Sequence, residues 1–250
     1  MFCRTILLLL LLWTPGLVRS LRLVQLRVPS YKREGGKAML SCQYDLQGDT
    51  LYSVKWFKDN LEFFRYVPSN QPSLQTFRMR GVKVDIARST GNTVALVDLA
   101  HESSGNYSCE VNGDAPRFET KTAYKYLDVY LLPKTGPSVV GLKNQYNFGN
   151  LVAANCSLPP SHPQSLLIWF INGRVAPDSY VSGPWYRVSA DRPDASETIL
   201  QLSFHASEAE FIDGTVKIKC QATIAPLYYK VKESTHYIKP STEEKGIERR

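Results

Sequence analysis

Cysteine and tryptophan recur in this chain in one fixed order, twice. Cys42 is followed by Trp56 after 14 residues and by Cys109 after 67. Cys156 is followed by Trp169 after 13 and by Cys220 after 64. A repeat of that length asks for two copies of one structural unit, each large enough to bury its own core. The fifth cysteine, Cys3, belongs elsewhere. Residues 1–20 carry Arg4, an unbroken apolar run from Ile6 to Trp13, a Pro15-Gly16 break and then Val18-Arg19-Ser20. A basic start, a short apolar run and modest residues before a break describe a secretory signal peptide. The run is too short to span a bilayer, which takes about 20 residues. Once it is removed, the cysteines number four, and an even count in an exported chain reads as disulfides.

Four cysteines allow three pairings, and the tryptophans choose between them. Cys…Trp…Cys at this spacing is the signature of an immunoglobulin sandwich, in which a tryptophan on the third strand packs on a disulfide joining the two sheets. The pairings Cys42–Cys109 and Cys156–Cys220 follow, with Trp56 and Trp169 as core tryptophans. Ala38, Leu40 and Cys42 alternate with Met39 and Ser41, as a half-buried strand requires. Val54 and Trp56 alternate likewise. Tyr107 stands two residues before Cys109, where a tyrosine corner belongs, although Ser103 replaces the acidic residue that often supports it. Leu61–Tyr66 fits an additional strand, which makes the first unit variable-type. In the second unit Ile218 occupies the corner position and Pro159-Pro160 with His162-Pro163 predict a rigid loop. The fold class is therefore all-β: two tandem immunoglobulin-like β-sandwiches, variable-type and then a divergent constant-type. The expected organisation is a leader over 1–20, a first domain over 21–132, a stiff linker over 133–137, a second domain over 138–238 and a polar tail over 239–250.

Charge and motifs exclude other classes. The net charge of +7 falls to +5 when Arg4 and Arg19 leave with the leader, and it is spread over both halves. Neither half reads as a nucleic-acid binder. No second apolar run approaches membrane length, so the sequence predicts a secreted, extracellular product without membrane insertion. Gly-x-Ser-x-Gly, His-Glu-x-x-His and Gly-x-x-x-x-Gly-Lys are all missing. His101, His162, His205 and His236 read as separate surface histidines, not metal ligands. No enzyme, cofactor or metal is expected. Two sequons, Asn106-Tyr107-Ser108 and Asn155-Cys156-Ser157, place their asparagines one residue before an inward side chain, so both point outward as glycosylation sites. Arg78, Arg80, Lys83 and Arg88 form a basic edge where weak glycosaminoglycan contact is conceivable, but an edge charged against strand pairing is the preferred reading.

A sandwich without an active site works by presenting a surface. With Trp56 inward, Lys55 and Phe57 point outward; with Cys109 inward, so does Glu110. The Leu61-Glu62-Phe63-Phe64 run resembles an antibody heavy-chain segment whose first and third residues face a paired domain. By that resemblance Leu61, Phe63 and Arg65 face outward while Phe64 and Tyr66 pack in. The expected partner-binding face is Phe57 and Phe63, ringed by Lys55, Arg65 and Glu110, in keeping with the aromatic and Arg enrichment of interface hot spots.

Longer stretches resemble one family. Leu51–Phe57, Glu62–Tyr66 and Gly81–Asp85 are similar to segments of the arthropod Beaten path proteins, and Cys109-Glu110-Val111-Asn112-Gly113-Asp114-Ala115-Pro116-Arg117-Phe118 resembles that family's Cys-Glu-Val-Ser-x-(Asp/Glu)-Ala-Pro-Ser-Phe segment. Asn155-Cys156-Ser157 and Leu167–Gly173 match at the expected distance. Asn112 and Arg117 stand where the family carries Ser. The resemblance implies a neuronal recognition protein that binds Sidestep-like immunoglobulin-superfamily receptors in axon guidance and defasciculation. Homophilic adhesion or immune-type recognition is the alternative within the binding class.

Overall fold

The computed structural model describes residues 20–240. Apart from Ser20, the leader expected over 1–20 lies outside the described residues, as does 241–250 of the tail. Among the described residues no helix is long and apolar enough to cross a membrane.

Alternating side chains set the architecture, because each strand must bury one face. The first domain's strands are β1 (Arg22–Arg27), β2 (Tyr31–Arg33), β3 (Ala38–Asp45), β4 (Leu51–Lys58) and β5 (Leu61–Tyr66). They continue with β6 (Leu74–Thr76), β7 (Thr93–Leu96), β8 (Gly105–Gly113) and β9 (Thr120–Tyr130). They form a sheet ordered β1-β3-β7 and a larger one ordered β2-β9-β8-β4-β5-β6. The pair β5–β6 widens the second sheet, which is the variable-type arrangement.

The second domain comprises β10 (Ser138–Val140), β11 (Gln145–Tyr146), β12 (Leu151–Ser161), β13 (Leu166–Ile171) and β14 (Arg174–Val175). After these come β15 (Val181–Val188), β16 (Ser196–His205), β17 (Thr215–Ile224) and β18 (Tyr228–Ile238). Its sheets are ordered β10-β12-β16-β15 and β11-β18-β17-β13-β14. Pro159-Pro160 lies inside β12 at a register shift between Leu158 and Ser161, not in a loop. A bulge is where a strand tolerates residues that cannot donate to the ladder.

Each core is built on a cross-sheet disulfide. Cys42–Cys109 joins β3 to β8, and Cys156–Cys220 joins β12 to β17. Trp56 sits beside Cys109 on the neighbouring strand, and Trp169 beside Cys220; all six side chains are buried. Closing loops of 67 and 64 residues removes unfolded-chain entropy, about 4 kcal/mol each in the chain-entropy account.

The corner of the first domain departs from the usual salt bridge. The Tyr107 hydroxyl, its proton held more tightly by burial, donates to the Ser103 carbonyl at 2.8 Å. Ser103 Oγ accepts from the Ala100 amide at 2.9 Å and donates to the Gly81 carbonyl at 2.5 Å. Residue 81 must be glycine: its φ is +76°, and a Cβ there would lie 2.3 Å from the Glu102 carbonyl oxygen. A buried hydroxyl thus does the work of the absent carboxylate.

Two expectations are corrected. Phe63 was expected on the outer face, yet it is 0% exposed and packs edge-on against Tyr107, with centroids 5.8 Å apart. The cause is a bulge: Trp56 pairs with Phe64 but Phe57 pairs with Glu62, so Phe63 is the extra residue and both phenylalanines turn inward. Of the four histidines, His205 is exposed, but the other three are not separate surface groups. The His101 and His162 rings meet across the domain junction at 4.4 Å. His236 is buried, bonded to Ser234 Oγ and the Lys143 carbonyl.

The same junction is clamped by Arg192, which reaches Glu34 of the first domain at 3.2 Å and Asp194 of its own at 2.8 Å. Arg33 adds a bond to the Leu227 carbonyl, and His162 accepts no isolated role: its amide pairs with the Leu131 carbonyl at 2.9 Å.

Two outcomes follow from this packing. Phe63→Ala lowers the unfolding free energy of the first domain by about 3–5 kcal/mol, read by urea denaturation; a shift near zero contradicts the buried placement. The hydrogen bond from Arg192 holds the Asp194 carboxyl down from 3.8 to about 2. A depressed carboxylate stabilises above its unfolded pKa and loses that contribution as pH falls through the folded value. The stability difference between wild type and Asp194→Asn is therefore full at neutral pH and disappears as pH drops from about 4 to about 2, measured by thermal unfolding.

Candidate recognition face

The outer face of the β9-β8-β4-β5 sheet is laid out by cross-strand register. One row runs Arg65, Lys55, Glu110, Thr122, and the next runs Glu62, Phe57, Ser108, Tyr124. Asn106 pairs with Tyr126 at one end, and Ser53, Asn112 and Thr120 line up at the other. Of the expected partner-binding residues, Lys55, Phe57, Arg65 and Glu110 share this face, and Phe63 does not.

Two exposed rings replace Phe63. Tyr124 is 65% and Tyr126 53% exposed, both outward because Leu127 and Val129 of the same strand point into the core. Phe57 is half-buried between them and β5, and Ser108, flanked by Phe57 and Tyr124, is buried. Phe77 continues the aromatic surface past the sheet edge, with the Arg65 guanidinium 5.5 Å above its ring. The alternation Thr120, Thr122, Tyr124, Tyr126 was present in the sequence; phasing it from Leu127 and Val129 would have found both tyrosines.

The charges around these rings are paired on the face itself. Arg65 makes a two-pronged contact with Glu62 at 2.6 and 2.8 Å, and that hydrogen bonding raises the guanidinium pKa above its ordinary value. Lys55 lies 3.4 Å from Glu110. Glu110 also accepts from Asn112 Nδ2 at 3.0 Å, and Asn112 accepts from Thr120 at 2.7 Å. Asn112, one of the two departures from the Beaten path pattern, thus orders the end of the face. The other, Arg117, ties the β8–β9 turn to Asp49 at 2.8 Å. What remains is a near-neutral, ring-bearing centre with a pre-ordered polar rim, the composition of an interface core and its surround.

The remaining expected sites fall outside this centre. Asn106 is exposed at the edge of the same face, and Asn155 is exposed on the far domain. The basic edge is largely offset locally: Arg80 pairs with Glu102, Lys83 with Asp98 and Arg88 with Asp85. Among the described residues, no group of three His, Cys, Asp or Glu is placed to hold a metal ion.

The model of the immunoglobulin domain family matches residues 28–114. No curated protein matches the sequence. Among solved structures, that of murine CEACAM1b is similar with a TM-score of 0.58 and 14% identity, covering 86% of this chain and 100% of that one. The crystal structure of Rst D1-D2 is similar at a TM-score of 0.55 and 13% identity, covering 88% of this chain and 98% of that one. A third is the crystal structure of mouse coronavirus receptor-binding domain complexed with its murine receptor, at 0.52 and 13%, covering 85% of this chain and 97% of that one. At such identities the likeness is one of fold. The chain contains an immunoglobulin domain in its first half and folds as two immunoglobulin-like sandwiches.

Proposed function

We propose that this chain is an extracellular recognition protein whose first domain docks the outer face of β9-β8-β4-β5 onto an immunoglobulin-superfamily receptor. The observation that carries this reading is the pairing of Tyr124, Tyr126 and Phe57 with a rim whose charges already neutralise one another. Such a face presents apolar area with its charges already paired, which makes it less costly to bury than a face of lone charges. The resemblance to Beaten path proteins supplies the partner class, a Sidestep-like receptor, and the setting, secreted control of axon guidance and defasciculation. One structural neighbour comes from a complex of mouse coronavirus receptor-binding domain with its murine receptor, so the fold is compatible with protein recognition as its working mode. Glycan attachment at Asn106, beside Tyr126 in the register, directs docking toward the Tyr124 and Phe57 end.

A standard interface buries about 1,600 Å², most of this sheet, so single anchors on it are decisive. Tyr124→Lys and Phe57→Glu are each expected to weaken binding to a Sidestep-like ectodomain by at least about tenfold, on the order of 2 kcal/mol per anchor. Surface plasmon resonance on secreted, folded variants reads this; unchanged affinity in both removes the face from consideration. Sedimentation of the wild-type chain at micromolar concentration separates the homophilic alternative, which requires a dimer.

A further inference from the structure

The second domain has an outer face that docking through the first domain leaves unused. Asn155 lies in the middle of β12, exposed on the outside of the β10-β12-β16-β15 sheet because Cys156 turns into the core. Register sets two rows across this face. Val140, Asn155, Gln201 and Ser182 form one; Ser138, Ser157, Ile199 and Trp185 form the next.

Trp185 is 50% exposed, although it is among the largest apolar side chains in the chain. Its ring lies down along the strand because residue 183 has no side chain. A Cβ at Gly183, where φ is +104°, would meet indole carbons at 3.0 and 3.2 Å. The six-membered ring of the indole thus passes close over the Gly183 backbone, and half of the side chain stays exposed. A flat ring offered from one side is the surface on which the C–H face of a pyranose stacks. Beside it lies a depression of about 520 Å³, lined by Ser138, Ser157, Arg187 and Glu197 among others. Arg187 is held to Glu197 through Nε at 2.8 Å. Hydroxyls and a planar ion pair offer the donors and acceptors that sugar hydroxyls need.

Distance links the two features. Strand spacing of about 4.8 Å and a rise of about 3.4 Å per residue place the Trp185 Cα about 12 Å from that of Asn155. An asparagine side chain with two pyranose rings covers that span. The sequon and the platform share one face, one row apart.

We propose that Asn155 carries an N-linked glycan whose inner core folds back across Ile199, stacks on Trp185 and lodges its hydroxyls beside Arg187 and Glu197. Covalent attachment supplies the local concentration, so a weak stack is enough to hold the sugar down. The bound core covers the apolar side of the edge strand β15, where Trp185 stands unpartnered, and so blocks pairing with another chain.

The test uses the full chain secreted from animal cells. Mass spectrometry after enzymatic glycan release in heavy-oxygen water reads occupancy at Asn155. Acrylamide quenching of tryptophan fluorescence reads the platform, since Trp56 and Trp169 are buried and a Trp185→Phe variant supplies the background. The expected result is an occupied Asn155 and a quenching constant at least twofold larger in Ser157→Ala than in the glycosylated wild type. Should Ser157→Ala fail to be secreted, removing the glycan from the folded wild-type protein provides the same comparison. An unoccupied Asn155, or equal quenching with and without the glycan, overturns the proposal.

Discussion

Two covalent pins hold apart and together the sheets on which everything else is hung. Cys42–Cys109 and Cys156–Cys220 each cross a sandwich, and each is flanked on the adjacent strand by a buried tryptophan. The pin fixes which face of β8 and β17 looks inward, and period-two alternation then fixes every outward neighbour. Glu110 and Ser108 are outward because Cys109 is not free to be. Asn155 is outward for the same reason with respect to Cys156. The candidate docking face and the candidate glycan site are thus both consequences of where sulfur is bonded.

A single inserted residue modifies that logic at the place that matters most for recognition. The bulge at Phe63 doubles the inward contribution of β5, giving the core two rings, and re-aims Glu62 onto the outer face opposite Phe57. Once there, Glu62 captures Arg65. A face expected to show two phenylalanines ringed by Lys55, Arg65 and Glu110 instead shows one half-buried phenylalanine, two strand-β9 tyrosines and two ion pairs. The change lowers the electrostatic character of the surface and raises its suitability for close apolar contact.

At the junction, contacts from both domains converge on a small polar cluster. Arg192 bridges Glu34 and Asp194, the His101 and His162 rings touch, and the Arg33 guanidinium reaches the Leu227 carbonyl. The bonds from Arg192 to Glu34 and from Arg33 to Leu227 join groups drawn from distant parts of the sequence. They give the pair of sandwiches a defined relation, which matters for a molecule that presents one face of one domain to a partner.

Much of the fold was written in spacing. The Cys…Trp…Cys repeats determined two sandwiches, the disulfide pairing and the inward phase of β3, β4, β8, β12, β13 and β17, because a cross-sheet disulfide with its tryptophan leaves one parity per strand. Lys55, Phe57, Glu110, Asn106 and Asn155 could be placed outward from that parity alone. The tertiary structure decided what parity cannot carry. A bulge shifts phase by one without a mark in composition, and so Phe63 was misplaced while Glu62 was overlooked. The Arg192 clamp, the touching histidines and the indole laid over Gly183 join residues far apart in sequence or depend on a missing Cβ, and only the folded chain brings them together.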